Sequence, residues 1–376
     1  MFKRRWKLLS TGRFDPYPSP SGLSLSPSAA LAPLFEAAPL ALTFAKRGAG
    51  ASAWQKAARA KLVELLGHRR QPEGQVPVTR FDEDHTHPAG VHRRRLYLSA
   101  WRGADIPVNL LWKGDLSSPM PTMICLTGTS VGANCAWGEP RTTIDPIKIA
   151  RGLDMAVQAA QRGYLAVVVE QLAFGERTER HMTPVSPAAG VDTAHHALLV
   201  GRTHLGLWTS DLSAVIDWLL GSEIPVDPTR LHAMGHSAGG TTALFGAAVD
   251  TRIGAALASG CVGSWRRNLA RRRDGSGQMA IPRILDWLEM SDVLGLVAPR
   301  PLLVVSGMKD HIWPFEEAAR VVAEARPCYE AFGASGRLAA VSGRAGHLPY
   351  PDDAWAGFNR VLSDQPSAPV NTKDRW

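Results

Sequence analysis

A serine flanked by small residues stands where an apolar run of this chain gives way to a helix-forming run. The motif Gly235-His236-Ser237-Ala238-Gly239 follows the apolar stretch 230–234 and precedes the small-residue run 240–248. On a strained strand-to-helix turn of this kind, a serine hydroxyl stands free above the sheet, provided that the flanking side chains are small. The pattern therefore predicts that Ser237 is a nucleophile.

The same pattern occurs a second time, at Gly128-Thr129-Ser130-Val131-Gly132. It also follows a predicted strand, Met123 to Leu126, but glycine and proline interrupt the next residues, 133–140, and we predict no helix there. A chain with 35 glycines produces such a pattern by chance. The helix-forming run after the first motif therefore favours Ser237 over Ser130 as the nucleophile.

An alcohol is a poor nucleophile near neutral pH, so Ser237 needs a base and an acid that orients the base. Asp310 follows the apolar run 301–307, and His347 follows the apolar run 338–341. Continuous apolar runs are typical of strands that are buried on both faces. Because loops at the carboxyl ends of parallel strands converge, and the order Ser, Asp, His is typical of such hydrolases, we predict a catalytic triad of these three residues.

Several further segments carry a resemblance to a known family. They are the strand and acidic loop 161–177, the helix that opens at Leu205-Gly206-Leu207-Trp208, its continuation into 226–231, and the stretch 297–303. With the serine motif, they make the chain resemble α/β-hydrolases of the acetyl xylan esterase or cephalosporin deacetylase type, and the dienelactone hydrolases, from about Trp54 to Leu362. The resemblance implies an α/β fold, the α/β-hydrolase fold: a mostly parallel central sheet flanked by helices, here with an N-terminal helical extension.

The resemblance also implies an oxyanion hole made of two backbone N–H groups. One belongs to Ala238, the residue after the nucleophile, and the other to Thr129, in the loop after an early strand. Relatives carry a histidine where this chain has Thr127, but a backbone donor survives that change. If Asp310 is not the acid, Glu170 and Asp292 are the next residues to consider.

We therefore predict a serine-dependent carboxylic-ester hydrolase that acts through an acyl-enzyme and deacetylates a carbohydrate or another small ester. A serine peptidase of the prolyl-oligopeptidase kind shares the triad, but the region before Arg95 is too short for its propeller domain. A partner-binding hydrolase fold without turnover is the third alternative. We predict neither an organic cofactor nor a metal site, since the polar segment 82–87 has no second ligand cluster. The candidate substrate contacts are Trp137, Arg177, His195, His196, Trp265 and Trp313.

Composition and charge limit the remaining possibilities. The chain has 376 residues, of which 45% are hydrophobic and 20% charged, and this balance is typical of a soluble globular enzyme. The formal charge of +8 is concentrated partly in the arginines between 266 and 273, which we expect near the mouth of the site, where they could attract acidic substrates such as uronic-acid-bearing glycans. No interleaved aromatic residues accompany these arginines, so we predict no nucleic-acid partner.

The chain divides into three predicted parts: an N-terminal extension over residues 1–90 with a packing helix at 51–66, a catalytic domain over 91–364, and a loose tail over 365–376. The sequence contains no run of about 18 apolar residues, so we predict no membrane span. The basic segment 3–7 lacks the apolar region that a signal peptide needs. The four cysteines have no metal-type spacing, and we predict them reduced. We predict a cytoplasmic location, with a periplasmic or secreted location as the alternatives. The oligomeric state is not predicted.

Overall fold

A computed structural model describes the chain over residues 19–48, 50–70, 78–81, 85–101, 103–129, 131–180, 190–269 and 277–363. The chain forms two compact units, Met1–Ala38 and Pro39–Trp376. The first contains a helix, α1 (Pro27–Glu36), that begins with a proline, the residue best suited to the first helical position. The second contains every other helix and strand described below.

The described residues of the larger unit form a single mixed sheet of ten strands. Its spatial order is β1-β3-β4-β6-β5-β7-β8-β9-β10, and β2 pairs with β3 off this path. The strands are β1 (Val78–Phe81), β2 (His85–His87), β3 (Val91–Trp101), β4 (Ala104–Trp112), β5 (Met120–Leu126), β6 (Leu165–Val169), β7 (Val226–His236), β8 (Ala255–Ser259), β9 (Leu302–Gly307) and β10 (Leu338–Gly343).

Six neighbouring strands, β6, β5, β7, β8, β9 and β10 in spatial order, run parallel, and the first four strands in the sequence pair antiparallel at the other edge. β4 joins the two parts through an antiparallel pairing with β6. Strands β9 and β10 stay in register from Leu302↔Leu338 to Gly307↔Gly343. Parallel strands in register end at the same edge, so the loops after β5, β7, β9 and β10 face one another.

Helices cover both faces of the sheet. The remaining ones are α2 (Ala51–Leu66), α3 (Asp145–Lys148), α4 (Met155–Gln161), α5 (Val191–Leu199), α6 (His204–Gly221), α7 (Ala238–Val249), α8 (Ile284–Trp287), α9 (Met290–Gly295), α10 (Phe315–Ala331) and α11 (Pro351–Leu362). None of the described helices is long enough and apolar enough to cross a bilayer. The mostly parallel sheet with helices on both faces confirms the predicted fold class.

The alternation of side chains along the strands divides the core into two layers. In β5, Ile124 and Leu126 pack on one face, and Met123 and Cys125 on the other. The first face is covered by α2, α6, α7 and α10, and the second by α4 and α11. Because both faces are buried, these strands consist of continuous apolar residues, which is the pattern from which the sequence predicts them.

Two helical segments bear on local predictions from the sequence. Helix α2 begins and ends where the sequence predicts, at Ala51–Leu66, and it packs within the larger unit, on the same core as α7. The prediction that no helix follows the second serine motif is wrong for one turn, because Ala133–Trp137 forms a 3-10 helix ended by Gly138 in a left-handed conformation.

Some sequence predictions fall on residues outside the described ranges. They are Ser130, the basic segment 3–7, residues 82–84 of the polar segment, the arginines 271–273 and the tail 365–376. The four cysteines all lie in the described part, where each is buried and none forms a disulfide.

Candidate active site

Ser237 occupies a sharp turn between the end of β7 at His236 and the start of α7 at Ala238. Its backbone adopts φ 58° and ψ −122°, a conformation that L-residues other than glycine rarely adopt. Such a conformation costs about 1–3 kcal/mol and persists only where the surroundings enforce it. Here the Ser237 N–H donates to the Ser259 carbonyl at 2.7 Å, which ties the turn to the end of β8.

The helix after the serine approaches β5 too closely for any side chain at Gly239. A Cβ atom at this position would lie 2.0 Å from the Leu126 carbonyl oxygen, so only glycine lets the first turn of α7 pack there. Gly239 is the last residue of the serine motif. The motif therefore reflects a steric requirement of this turn.

Asp310 and His347 meet at the same edge of the sheet. Asp310 lies in the loop after β9, and His347 in the loop after β10. The His347 Nδ1 atom lies 2.7 Å from Asp310 Oδ2, while Asp310 Oδ1 accepts hydrogen bonds from the N–H groups of Ile312 and Trp313 at 2.8 and 3.0 Å. Burial opposes ionisation of Asp310, but these hydrogen bonds outweigh it and hold the pKa of its carboxyl below the usual value.

Ser237 and His347 line one cavity of about 160 Å³. None of the described residues hydrogen-bonds to the Ser237 hydroxyl, so the hydroxyl can turn within the cavity. Hydrogen bonds between a nucleophile and its base are often long or absent until substrate is bound. The three residues that the sequence places in a triad thus converge on one site, with a direct contact between the acid and the base.

The loop after β5 passes directly beside the serine. A Cβ atom at Gly128 would lie 3.1 Å from Ser237 Cβ, and Thr129 lines the same cavity. The N–H of Ala238 belongs to the first turn of α7, where N–H groups have no acceptor within the helix. The two N–H groups predicted for the oxyanion hole therefore belong to segments that border the nucleophile.

Side chains hold this loop from both sides. The buried Thr127 hydroxyl donates to the Val131 carbonyl at 3.0 Å and closes the loop on itself. The Thr127 carbonyl accepts a 2.6 Å hydrogen bond from the Gln171 amide, and the Thr242 hydroxyl in α7 donates to Gln171 at 2.6 Å. Sequence analysis did not assign these roles to Thr127 and Gln171, because contacts between three separate segments leave no local pattern.

A second imidazole packs against His347. The His236 ring centroid lies 4.6 Å from that of His347, and His236 Nδ1 lies 3.0 Å from the Ser259 hydroxyl. Both rings fit because Gly260, with φ 59°, offers no side chain: a Cβ atom there would lie 2.9 Å from each ring. Burial, and to a smaller extent the neighbouring His347, lower the pKa of His236 to about 3, while Asp310 opposes the shift. His236 is therefore neutral near neutral pH.

The predicted substrate contacts lie away from the cavity lining. The indole rings of Trp137, Trp265 and Trp313 are 1%, 5% and 2% exposed and belong to the core. Arg177 is buried in a 2.6 Å ion pair with Asp211, which accounts for its charge within the fold. His195 and His196 are exposed on α5. Their surroundings support packing and surface roles.

The alternative acids are occupied elsewhere. Both Glu170 oxygens accept from the Ala133 N–H, and burial raises the pKa of this carboxyl to about 7, against the lowering effect of its hydrogen bonds. Asp292 accepts from the Glu289 N–H in the capping box of α9 and from the Phe44 N–H, both at 2.8 Å, and burial likewise raises its pKa to about 6. Neither carboxyl contacts His347, whereas Asp310 does.

Two cations that sequence analysis missed line the cavity with the serine. They are Lys148, the last residue of α3, and Arg151, in the π-helical segment Ile149–Leu153 that follows. A spacing of three residues on a helix was the signal that could have placed them on one face. No group of His, Cys, Asp and Glu side chains in the described ranges could hold a metal ion.

The chain matches the model of the Abhydrolase family over residues 4–332. The chain is 26% identical to "Putative hydrolase YtaP" of Bacillus subtilis, in an alignment that covers 50% of this chain and 60% of YtaP. The matched part therefore spans less than two thirds of that relative.

Solved structures of similar fold include esterases. The "putative acetyl xylan esterase" of Bacteroides fragilis superposes with a TM-score of 0.68 at 17% identity, over 89% of this chain and 86% of that one. A CE15 glucuronoyl esterase of Teredinibacter turnerae gives a TM-score of 0.62 at 18% identity, over 96% and 99% of the two chains. The glucuronoyl esterase of Solibacter usitatus gives 0.62 at 16%, over 87% and 97%. At these identities the comparison shows a shared fold.

Proposed function

The chain belongs to the Abhydrolase family, and from that premise we propose that it is a serine-dependent carboxylic-ester hydrolase that deacetylates a carbohydrate or another small ester. One observation carries the proposal. Ser237 is held in a strained turn and lines the same cavity as His347. The Nδ1 atom of His347 is paired with the buried carboxylate of Asp310. The structural similarity to an acetyl xylan esterase and to glucuronoyl esterases agrees with this class of substrate.

The mechanism follows from the roles of the two ring nitrogens. Asp310 accepts a hydrogen bond from the Nδ1–H group of His347 and so leaves Nε2 as the free acceptor. Nε2 takes the proton of Ser237 while Oγ attacks the ester carbonyl carbon, and the negative charge that develops on the carbonyl oxygen is stabilised by the N–H groups of Ala238 and Thr129. The protonated imidazole then gives its proton to the departing alcohol.

The acyl-enzyme is hydrolysed in a second step, in which water takes the place of the alcohol and His347 again acts as the base. A water molecule gives its proton to His347 Nε2 and attacks the acyl carbon, and the carboxylic acid leaves as Ser237 Oγ regains the proton. His236 stays neutral beside the base near neutral pH, because burial lowers its pKa to about 3. The imidazolium that forms at His347 is therefore not opposed by a second charge on the neighbouring ring.

Replacement of the nucleophile tests the proposal. We expect Ser237→Ala to lower kcat/KM for 4-nitrophenyl acetate by at least about 10⁴-fold, since loss of a catalytic serine removes the covalent route altogether. A fluorophosphonate probe should label the wild type and Ser117→Ala, a change of an exposed serine, but not Ser237→Ala. Undiminished turnover by Ser237→Ala with an unchanged circular dichroism spectrum would refute the proposal.

The peptidase alternative is separated by substrate. We expect the wild type to cleave acetyl esters and to leave peptide anilides intact. A peptidase of the prolyl-oligopeptidase kind has a propeller domain, and the described residues of this chain form none. Absence of fluorophosphonate labelling would instead favour a partner-binding fold without turnover.

The location of the protein in the cytoplasm stays a prediction.

A further inference from the structure

The charged side chains that line the cavity around the serine are all of one sign. Of the described residues that line it, Lys148 and Arg151 carry positive charge, His347 belongs to the proposed triad, and none carries a carboxylate. The rest of the lining is uncharged. It includes the polar residues Thr129, His236 and Ser237 and the apolar residues Val131, Leu153, Leu348 and Pro349. A cavity with low-dielectric walls and charge of one sign concentrates ions of the opposite sign. The site therefore has the electrostatics of an anion-binding pocket.

The two cations come from consecutive helical turns. Lys148 ends α3, and Arg151 follows three residues later in the segment Ile149–Leu153, so both side chains leave the same side of the chain. The segment ends in a kink at Gly152, with φ 92°, where a Cβ atom would lie 2.8 Å from the Pro351 ring. That close contact with the start of α11 holds the segment that carries the cations against the body of the fold.

Among the described residues, neither cation has a carboxylate partner closer than 4.0 Å. No described residue forms an ion pair with Arg151, which is exposed and lines the cavity. Lys148 reaches Asp145 only at 4.0 Å, and its side chain is 26% exposed. Asp145 is already satisfied, since it accepts from the Asn134 amide and from the N–H groups of Arg141 and Thr142, each at 3.0 Å.

The arginines between 266 and 273, which sequence analysis proposed for the attraction of acidic substrates, do not supply this charge in the described part of the chain. Arg267 pairs with Glu317 and Glu324, both at 3.0 Å, and neither it nor Arg266 is among the described residues that line the cavity. Of the described cations, Lys148 and Arg151 are the ones that line the cavity with the serine, and both precede the serine motif in the sequence.

We propose that the ester substrate carries a carboxylate, which Arg151 and Lys148 hold while its ester group lies at Ser237. The inference rests on the proposed ester hydrolase activity and specifies its substrate class. Guanidinium and ammonium groups are the side chains that best bind a carboxylate, the guanidinium through two parallel hydrogen bonds. The carboxylate can belong to the acyl part, as in the half-ester of a dicarboxylic acid, or to the alcohol part, as in an acetylated uronic acid.

Matched pairs of esters test the proposal and separate these two sources. For the acyl part, the 4-nitrophenyl half-ester of adipic acid is compared with 4-nitrophenyl hexanoate. For the alcohol part, 4-acetoxybenzoate is compared with 4-acetoxybenzamide. We expect wild-type kcat/KM to favour the charged member of one pair by about tenfold, as for a charge-assisted contact that is partly exposed. The pair that shows the preference identifies which part of the substrate carries the carboxylate.

Charge removal must then lower that preference. We expect the ratio of kcat/KM for charged over neutral ester to fall about fivefold in Arg151→Gln or Lys148→Met, and to about one in the double variant. Arg320→Gln, which removes an exposed arginine from α10, is the matched control and should keep the wild-type ratio. Raising the salt concentration from about 20 to 300 mM should reduce the wild-type ratio, because screening acts on exposed charges.

A binding measurement without turnover keeps the two proposals apart. Calorimetry on Ser237→Ala compares 4-hydroxybenzoate with 4-hydroxybenzamide, and adipate with adipamide, with and without the double change at Lys148 and Arg151. Binding of a carboxylate that depends on these cations, with no ester turnover by the wild type, would refute the esterase and retain the anion site. Equal kcat/KM for both members of each pair, with no difference in binding, would overturn the carboxylate proposal and leave the esterase intact.

Discussion

Asp310 is a carboxylate that remains ionised although its residue is only 3% exposed. Its burial is offset by hydrogen bonds from His347, Trp313 and Ile312, so both oxygens have donors. The bonds to the two backbone N–H groups fix the rotamer of Asp310, and the remaining oxygen then fixes the tautomer of His347. The three hydrogen bonds to Asp310 thus both keep its carboxylate ionised and fix the position from which it orients His347.

Loss of that charge should be severe. We expect Asp310→Asn to lower kcat for 4-nitrophenyl acetate by about 10⁴-fold, because an amide in this position donates to Nδ1 and imposes the wrong imidazole tautomer. The fold should persist, since the amide oxygen of the new side chain can still accept from the N–H groups of Ile312 and Trp313. Steady-state kinetics and thermal unfolding of the same preparation give both results.

A matched control distinguishes this role from a general effect of an altered carboxylate. Asp227→Asn changes an aspartate that accepts from the Thr229 N–H and pairs with Arg230 at the surface. Its kcat should stay within about twofold of the wild type, as exposed ion pairs contribute little. A loss of less than about tenfold in Asp310→Asn would contradict the assignment and return attention to the hydrogen-bonding of His347.

At the scale of elements, the loop after β5 shows how hydrogen bonds hold a segment beside the nucleophile. The Thr127 hydroxyl closes this loop by donating to the Val131 carbonyl. Gln171, just after the end of β6, ties the same loop to Thr242 in α7, the helix that starts beside Ser237. The two segments that carry the proposed oxyanion donors are thus connected by buried hydrogen bonds through Gln171.

Removal of the hydroxyl should loosen this loop. Thr127→Val keeps the shape of the side chain but leaves the Val131 carbonyl without its donor, which should cost about 1–2 kcal/mol in the free energy of unfolding. We expect kcat to fall about tenfold with a smaller change in KM, because a donor displaced from the transition state acts mainly on kcat. Chemical denaturation and steady-state kinetics measure the two effects.

The control for this change lies on the strand that leads into the loop. Thr122→Val alters another fully buried threonine, whose hydroxyl makes only a 3.5 Å contact with the Met120 carbonyl. We expect little effect on kcat. If both variants lost the same activity, the effect would come from strand packing, and the role of Thr127 in the loop would be contradicted.

Sequence patterns predict the elements better than the contacts between them. The apolar runs before Ser237, Asp310 and His347 mark strands buried on both faces, and the order of these runs places the three loops at one edge. By contrast, Lys148 and Arg151 follow residues 133–140, whose glycine and proline suggest a loop. Their place in the cavity depends on the short helical turns that this connection forms.

Contacts between elements also decide why the three tryptophans predicted as substrate contacts are buried. Trp137, Trp265 and Trp313 follow strands at the edge of the site, and a sequence does not reveal whether a large side chain after a strand turns outward or inward. In the structure, the indole N–H groups of Trp137 and Trp265 find buried or half-buried acceptors in Glu139 and the Met279 carbonyl. An acceptor inside the fold allows an indole to be buried, and such acceptors are set by tertiary packing.

At the scale of the whole molecule, helix α2 is part of the larger unit even though it precedes the sheet. Its residues Trp54, Ala58, Leu62 and Leu66 are at most 3% exposed and belong to the main core. Arg59 donates to the Ala248 and Leu296 carbonyls at 2.8 and 2.7 Å, so the helix also provides donors for the ends of α7 and α9. The core on this face of the sheet is therefore completed by residues near the start of the chain.

This arrangement predicts where the chain can be shortened. A protein that starts at Pro39 keeps the larger unit whole, and we expect it to unfold cooperatively and to hydrolyse 4-nitrophenyl acetate. One that starts at Gly67 lacks α2 and exposes the surface it covers. At about 1.5–3 kcal/mol for each large side chain, the loss is similar to the whole stability of a domain, about 5–15 kcal/mol. We expect that protein to be insoluble or unfolded.

Point variants of the full chain check the same argument without truncation. Leu62→Ala removes a fully buried side chain from α2 and should lower the free energy of unfolding by about 2–5 kcal/mol, with kcat kept in the folded fraction. Lys56→Ala, an exposed change on the same helix, should alter it by less than about 0.5 kcal/mol. Equal stability of both variants, or a folded and active chain that starts at Gly67, would show that the core closes without α2.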